Sequence, residues 1–141
     1  MMLTTGEYRF TSSLFQIEAG EESETNPQCF GKALAQWMLS QLKTNGLSIT
    51  EEIVAEDWGW LVMVSRKPFQ FWVGCVSQKD DDYKSIPNAW CVVVGTEPSL
   101  IQSIFKAQEI QDTLADLNSR VEEILQSSTE IFDLHFHRTT T

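Results

Sequence analysis

Apolar and polar positions alternate along this chain with two different periods, and the switches between them mark its elements. Tyr8 to Glu18 (YRFTSSLFQIE) reads as extended, Phe15 and Ile17 alternating with Gln16 and Glu18. A polar, acidic loop (AGEESETNPQ) follows and ends in a helix-start signal, Asn26 as cap and Pro27 at the first helical position. Phe30, Ala33, Leu34, Trp37, Met38 and Leu42 then recur at three- and four-residue steps, with Lys43 in the last turn and Gly46 as the stop. From Leu47 the period becomes strand-like through four runs: LSITEEIVAED, WGWLVMVSR, FQFWVGCVSQ and AWCVVVGTE. Turn residues around Pro68 and the loop KDDDYKSIPN separate them. TEPS opens a second helical region, with Leu100, Ile101, Ile104 and Phe105 as its first apolar side and a break expected near Lys106 to Glu109. The segment EIFDLHFHR closes the pattern as a strand, Phe132, Leu134 and Phe136 facing one way and Asp133, His135 and His137 the other.

Short connections and no crossover helices make the four runs an antiparallel meander. The predicted class is α+β: a mostly antiparallel sheet (strand, helix, four-strand meander, one or two helices, strand) with helices on one face. At 141 residues the chain is read as a single domain, 1–141, with residues 138–141 as a frayed tail. Apolar residues form 42% of it and charged residues 21%, a globular balance whose five tryptophans and eight phenylalanines supply a core without disulfide or metal.

Charge changes the picture more than composition does. Ten Lys and Arg stand against twenty Asp and Glu, a formal net of −10. That argues against nucleic acid and anionic membrane as direct partners, because both need a cationic footprint, and leaves plain solubility, a basic protein partner or a divalent cation. Cys29, Cys75 and Cys91 are odd in number, lack metal-ligand spacing and sit in apolar runs, so buried, reduced thiols are expected. With no signal-peptide pattern in MMLTTGEYRF and no membrane-length apolar run, the expected setting is the cytoplasm.

The run Glu56-Asp57-Trp58-Gly59-Trp60-Leu61 is the most unusual in the chain. Strand alternation places Trp58 and Trp60 on one face with Val62 and Val64, and Gly59 on the other with Leu61 and Met63; packing is the simplest use of such a stripe. Both faces of the run are apolar, however, and Trp72 on the next strand raises the same question of what covers the second. A partly open second face would make Trp58 an anchor beside Glu56 and Asp57. Acidic clusters recur at Glu21-Glu22-Ser23-Glu24, Glu51-Glu52 and Asp80-Asp81-Asp82. Each alone reads as a solvated loop; together on one edge they would steer a cationic protein. The Asp80–Asp82 run lacks the ligand spacing, glycine and distal glutamate of a helix-loop-helix calcium site. Asp133, His135 and His137 could form a metal-binding row, but a C-terminal strand has a polar face in any case, so no metal or cofactor is assigned. No nucleophile elbow, phosphate loop or Cys-His signature is present, and a non-enzymatic protein is expected.

The segment GLSITEEIVAEDWGWLVMVSRKPFQFWVGCV resembles short uncharacterised bacterial proteins that carry a Glu-Asp-Trp-Gly-Trp run, here Glu56 to Trp60, ahead of a Trp-Val-Gly-Cys strand, here Trp72 to Cys75. In size, acidity and α+β character the chain is similar to immunity proteins of contact-dependent inhibition and other polymorphic toxin systems. That likeness implies a cytoplasmic inhibitor that blocks a cognate basic toxin domain, often a nuclease. The acidic and aromatic runs name the expected contacts, Glu56, Asp57, Trp58, Asp80, Asp81 and Asp82, and a monomer is expected over a dimer. The chain also resembles the acidic homodimeric chaperones of type III secretion, which bind an effector segment, but departs from them in its leading strand, its long helical region and the cluster of Trp58, Trp60 and Trp72.

Overall fold

The computed structural model describes residues 3–49 and 52–138, with the side chains of residues 3–5 left aside. Six strands form one antiparallel sheet: β1 (Leu3–Thr11), β2 (Glu52–Glu56), β3 (Gly59–Ser65), β4 (Gln70–Lys79), β5 (Ser85–Glu97) and β6 (Phe132–Arg138). Their order is β2-β3-β4-β5-β1-β6, so the meander is intact and the two terminal strands extend it from the β5 side. Among the described residues three α-helices accompany them, α1 (Lys32–Thr44), α2 (Leu100–Phe105) and α3 (Ala107–Ser127), with a short 3-10 turn at Glu21–Ser23. The α+β class, the meander and the helical break near Lys106 stand as the periodicity predicts. Among the described residues no helix is long and apolar enough to cross a membrane.

One face of the sheet carries Tyr8, Phe10, Trp60, Val62, Val73, Cys75, Trp90, Val92 and Val94, at two-residue steps along each strand. Against it lie Leu34, Ala35, Met38 and Leu42 of α1 and Ile110, Leu114, Leu117, Val121, Ile124 and Leu125 of α3. Asn118 interrupts the α3 stripe as a buried polar residue. Its Oδ1 accepts from the Tyr8 hydroxyl at 2.6 Å, and its Nδ2 donates to the Leu114 carbonyl at 2.9 Å. Arg138 on β6 pairs with Glu122 on the same helix, so α3 is fastened to both β1 and β6. All three cysteines are free and buried.

Several boundaries differ from the sequence reading. The first strand ends at Thr11 rather than continuing to Glu18. Helix α1 starts at Lys32, five residues after Pro27. Gln28 takes a left-handed φ of 67°, and the chain then runs beside β4, where the Ser77 amide donates to the Phe30 carbonyl at 2.8 Å. At Gly31 (φ 152°) an added Cβ would lie 2.4 Å from the Cys75 carbonyl oxygen, so only glycine lets the chain pass. The cap comes from a distance: buried Glu21 accepts the Gly31 and Lys32 amides at 3.1 Å each, as well as the Glu18 amide at 2.8 Å. A carboxylate there satisfies orphan N–H groups and meets the positive end of the helix dipole. On β6 the alternation breaks at Asp133 (φ 54°), where a bulge opposite β1 inserts an extra residue. Phe132, paired with Thr11, therefore leaves the face that Leu134 and Phe136 share, while Asp133 Oδ2 accepts from the Thr11 hydroxyl at 3.2 Å. Of the tail expected at 138–141, Arg138 belongs to β6 and the remainder lies outside the described residues.

Candidate functional site

Glu56 and Gly59 pair directly, so Asp57-Trp58 is the two-residue turn of the β2–β3 hairpin. This overturns the expectation that Trp58 shares a face with Trp60. Trp60 points into the helix-covered core, with the Lys32 ammonium 5.4 Å from its ring centroid. Trp58 folds the other way, onto the face the helices leave uncovered, where Leu61, Met63 and Trp72 form a second apolar cluster bordered by Val54 and Val93.

The cover for that second face is the tryptophans themselves. Leu61, Gly74 and Val93 lie in one cross-strand row, and Met63, Trp72 and Gly95 in the next. The two glycines leave gaps in the sheet surface, and the rings occupy them. A Cβ on Gly74 would stand 2.4 Å from Trp58 Cη2, and one on Gly95 would stand 2.4 Å from Trp72 Cη2 and Cζ2. The two indoles meet with centroids 6.0 Å apart at 41°. Trp72 is thereby only 3% exposed although no helix lies above it, whereas Trp58 is half-buried.

The end of the sheet that carries the β2–β3 turn gathers negative charge. Consecutive hairpins of a meander turn at opposite ends, so the β2–β3 and β4–β5 turns share one end. The loop that carries Glu22 and Glu24 is bound to both: the Asn26 amide donates to the Asp57 carbonyl at 2.8 Å, and the Ser85 amide donates to Gln28 Oε1 at 2.8 Å. Glu22 accepts the Gln28 amide at 2.6 Å, holding that loop in shape. In the β4–β5 turn, Asp80 accepts the amides of Asp82 and Lys84 at 2.9 and 3.0 Å, so its carboxylate builds the turn. Asp81 and Asp82 are exposed at its tip.

The structure thus brings Glu56, Asp57, Trp58 and Asp80 to Asp82 to one end, with Glu22 and Glu24 beside them. The third acidic cluster does not join. Glu51 lies outside the described residues, and Glu52 is at the far end of β2, where Arg66 binds it with Nη2 at 2.8 Å from both carboxylate oxygens. Tyr83 was not singled out by sequence pattern. It stands in the acidic turn at φ 60° and is 79% exposed, the most exposed large apolar side chain among the described residues. Its signal was available, an aromatic inside the charged run KDDDYK, where no strand could bury it.

Elsewhere there is little chemistry to build on. Among the described residues no three His, Cys, Asp or Glu side chains are grouped to hold a metal ion. Arg9 sits opposite His135 and Glu7 opposite His137 across β1 and β6, and Arg9 is bound to Glu7 at 2.8 Å. The Cys75 and Cys91 thiols are pushed up from the usual range by burial, that of Cys91 to about 12, so both are protonated and unreactive at neutral pH. A largely apolar cleft lies at the opposite end, between the β3–β4 turn and α3. No family model, curated protein or solved structure matches this chain.

Proposed function

We propose that this protein is a non-enzymatic inhibitor of the immunity-protein kind, whose acidic end binds and blocks a basic protein domain such as a nuclease toxin. The observation that supports the reading is that Asp57, Asp81, Asp82, Glu22 and Glu24 share one end of the sheet with two aromatic residues, Trp58 and Tyr83, on segments joined by the Asn26–Asp57 and Ser85–Gln28 hydrogen bonds. Clustered carboxylates steer a cationic partner and speed its encounter. An exposed tyrosine and a half-exposed tryptophan within that field supply the anchors that slow its departure. A rigid hairpin platform also lowers the entropy lost on docking.

The test starts with capture of the tagged protein's partners from its host, followed by kinetics with the purified partner. Expected is one stoichiometric basic protein whose association slows at least about tenfold from low to high salt. Asp81→Lys with Asp82→Lys removes that salt dependence, and Tyr83→Ala speeds dissociation by roughly tenfold or more. A salt-independent on-rate sinks the steering argument. Capture of several unfolded chains in place of one folded partner moves the assignment to a chaperone.

A further inference from the structure

Helix α2 is built inside out. Its start is well specified: Ser99 Oγ accepts the Gln102 amide at 3.1 Å while Gln102 Oε1 accepts the Ser99 amide at 2.9 Å, a reciprocal capping box. Gln102 also donates through Nε2 to the Pro68 carbonyl at 2.6 Å, which docks the helix on the β3–β4 turn by its polar side. The apolar side is left facing water, with Leu100, Ile101, Ile104 and Phe105 at 74, 70, 64 and 77% exposure. Four such neighbours amount to an apolar patch on the order of 500 Å², the upper end of what monomers carry.

Beside this knob lies a hole. The cleft between the β3–β4 turn and α3 has a volume of about 190 Å³, apolar lining from Val64, Phe69, Phe71 and Leu117, and polar lining that includes Lys67, Glu109, Thr113 and Asp116. An apolar cavity of about 150 Å³ already accepts a benzene ring. A protruding apolar helix next to an apolar cleft is self-complementary under a two-fold axis, each copy's knob meeting the other's hole.

The charge distribution favours the same occupant. At this end Arg66 is paired with Glu52 at 2.8 Å and Lys106 with Glu109 at 3.7 Å, and the cleft lining sets Lys67 against Glu109 and Asp116, so both signs are present. The acidic turns lie at the other end of β5, whose thirteen residues span roughly 40 Å. Two copies joined through α2 therefore hold their acidic ends apart, well beyond a screening length of about 8 Å.

We propose that a second copy of this chain covers α2, forming a two-fold dimer in which Leu100, Ile101, Ile104 and Phe105 pack across the axis and Phe105 enters the partner's cleft. Knob and cleft from both copies bury on the order of 1,200 Å² or more, within the range of specific interfaces. The dimer presents its two acidic ends outward, and it does not depend on what those ends bind.

Sedimentation equilibrium of the full chain across the micromolar range is the deciding measurement. The expected mass is twice 16.1 kDa. Phe105→Glu weakens the dimer by more than about thirtyfold while circular dichroism and the melting curve stay intact, because the position is solvent-facing. Thr113→Arg, an exposed rim substitution, weakens it from the cleft side without touching α2. A wild-type chain that stays at 16.1 kDa overturns the proposal, as does a dimer that survives both substitutions. A monomer that sediments with phosphatidylcholine–phosphatidylglycerol vesicles would assign α2 to a lipid surface instead and equally refute it.

Discussion

Replacing Gly95 by alanine adds one methyl group where the Trp72 ring now lies. The new Cβ would stand 2.4 Å from Cη2 and Cζ2 and 2.9 Å from Cε2 of that ring, against a carbon–carbon optimum of roughly 3.5–4.0 Å. The ring must retreat by about an ångström, and it is only 3% exposed, in mid-strand and packed against Met63. Overpacking of this kind costs about 1–3 kcal/mol, and a ring that swings out also uncovers Leu61 and Met63. The alanine returns about 0.5–1 kcal/mol by restricting the unfolded chain. The balance is a loss of about 2 kcal/mol, or roughly 4–8 °C in Tm for a chain of this length. Gly74→Ala is the informative comparison. Its Cβ would be equally close to Trp58, 2.4 Å from Cη2, and 2.7 Å from Val93 Cγ2, but Trp58 sits in a turn and can swing into solvent, and the half-buried Val93 can turn its methyl away. That variant should stay within about 1 kcal/mol of wild type while its fluorescence shifts to the red and quenches more readily. Urea and thermal denaturation with emission spectra test both. Equal stability of Gly95→Ala and wild type would refute the seating of Trp72 on the glycine, and Trp72→Leu should remove most of the Gly95→Ala penalty in a double-mutant cycle.

Two further substitutions probe the buried polar groups. Glu21→Ala strands the amides of Gly31, Lys32 and Glu18 and should cost about 2–4 kcal/mol in urea denaturation, with Glu21→Gln roughly half as damaging; an alanine variant within about 0.5 kcal/mol would mean water serves the start of α1 equally well. The Tyr8 phenol is pushed up to about 12 by burial first and by the nearby Glu122 carboxylate second, so the fold holds its neutral form. Its share of stability is complete below pH 10 and disappears as pH rises toward 12; Cys91, pushed up from 9.0 to about 12 by burial, adds a loss of the same sign that starts lower. Urea midpoints should therefore fall steeply above pH 10, and Tyr8→Phe should be about 1 kcal/mol less stable at neutral pH yet decline less in alkali. Parallel curves for the two proteins would contradict that account.

The sheet could be read from sequence because each strand of the meander carries its own period-two signal and its own turn residues. What could not be read depends on contacts between segments. Asn26-Pro27 is a sound local start signal, but the acceptor that caps α1 is Glu21, and the glycine that admits the chain beside β4 is Gly31. Neither follows from spacing within the helix. Trp58 was misplaced because alternation was carried through Asp57-Trp58, where the chain reverses. The glycines that receive the indoles lie on other strands, Gly74 on β4 and Gly95 on β5, so their purpose needs the register. For α2, helical spacing identified the apolar side correctly but could not say that this side faces out. Side-chain periodicity gives a face, and only packing gives its direction.

Charge placement was more legible than it first looked, because an antiparallel meander sorts its turns by parity. The first and third turns share an end and the second takes the other. Here the first contains Asp57 and the third Asp80 to Asp82, while the second contains Arg66 and Lys67. That rule alone separates Glu52, at the start of β2, from Asp80 to Asp82 and sets it beside the basic turn. It also changes what a net charge of −10 means. Spread evenly, that charge would repel a second copy from every side and attract a cationic partner only weakly. Sorted by turn, it leaves an end where Arg66 is matched by Glu52 and Lys106 by Glu109, and another where Asp57, Asp81 and Asp82 crowd together. The proposed self-association at α2 and the proposed capture of a basic domain at the acidic end thus draw on the same topology. Because β5 separates them by several screening lengths, charges changed at one end leave the other unaffected, and each proposal can fail without the other.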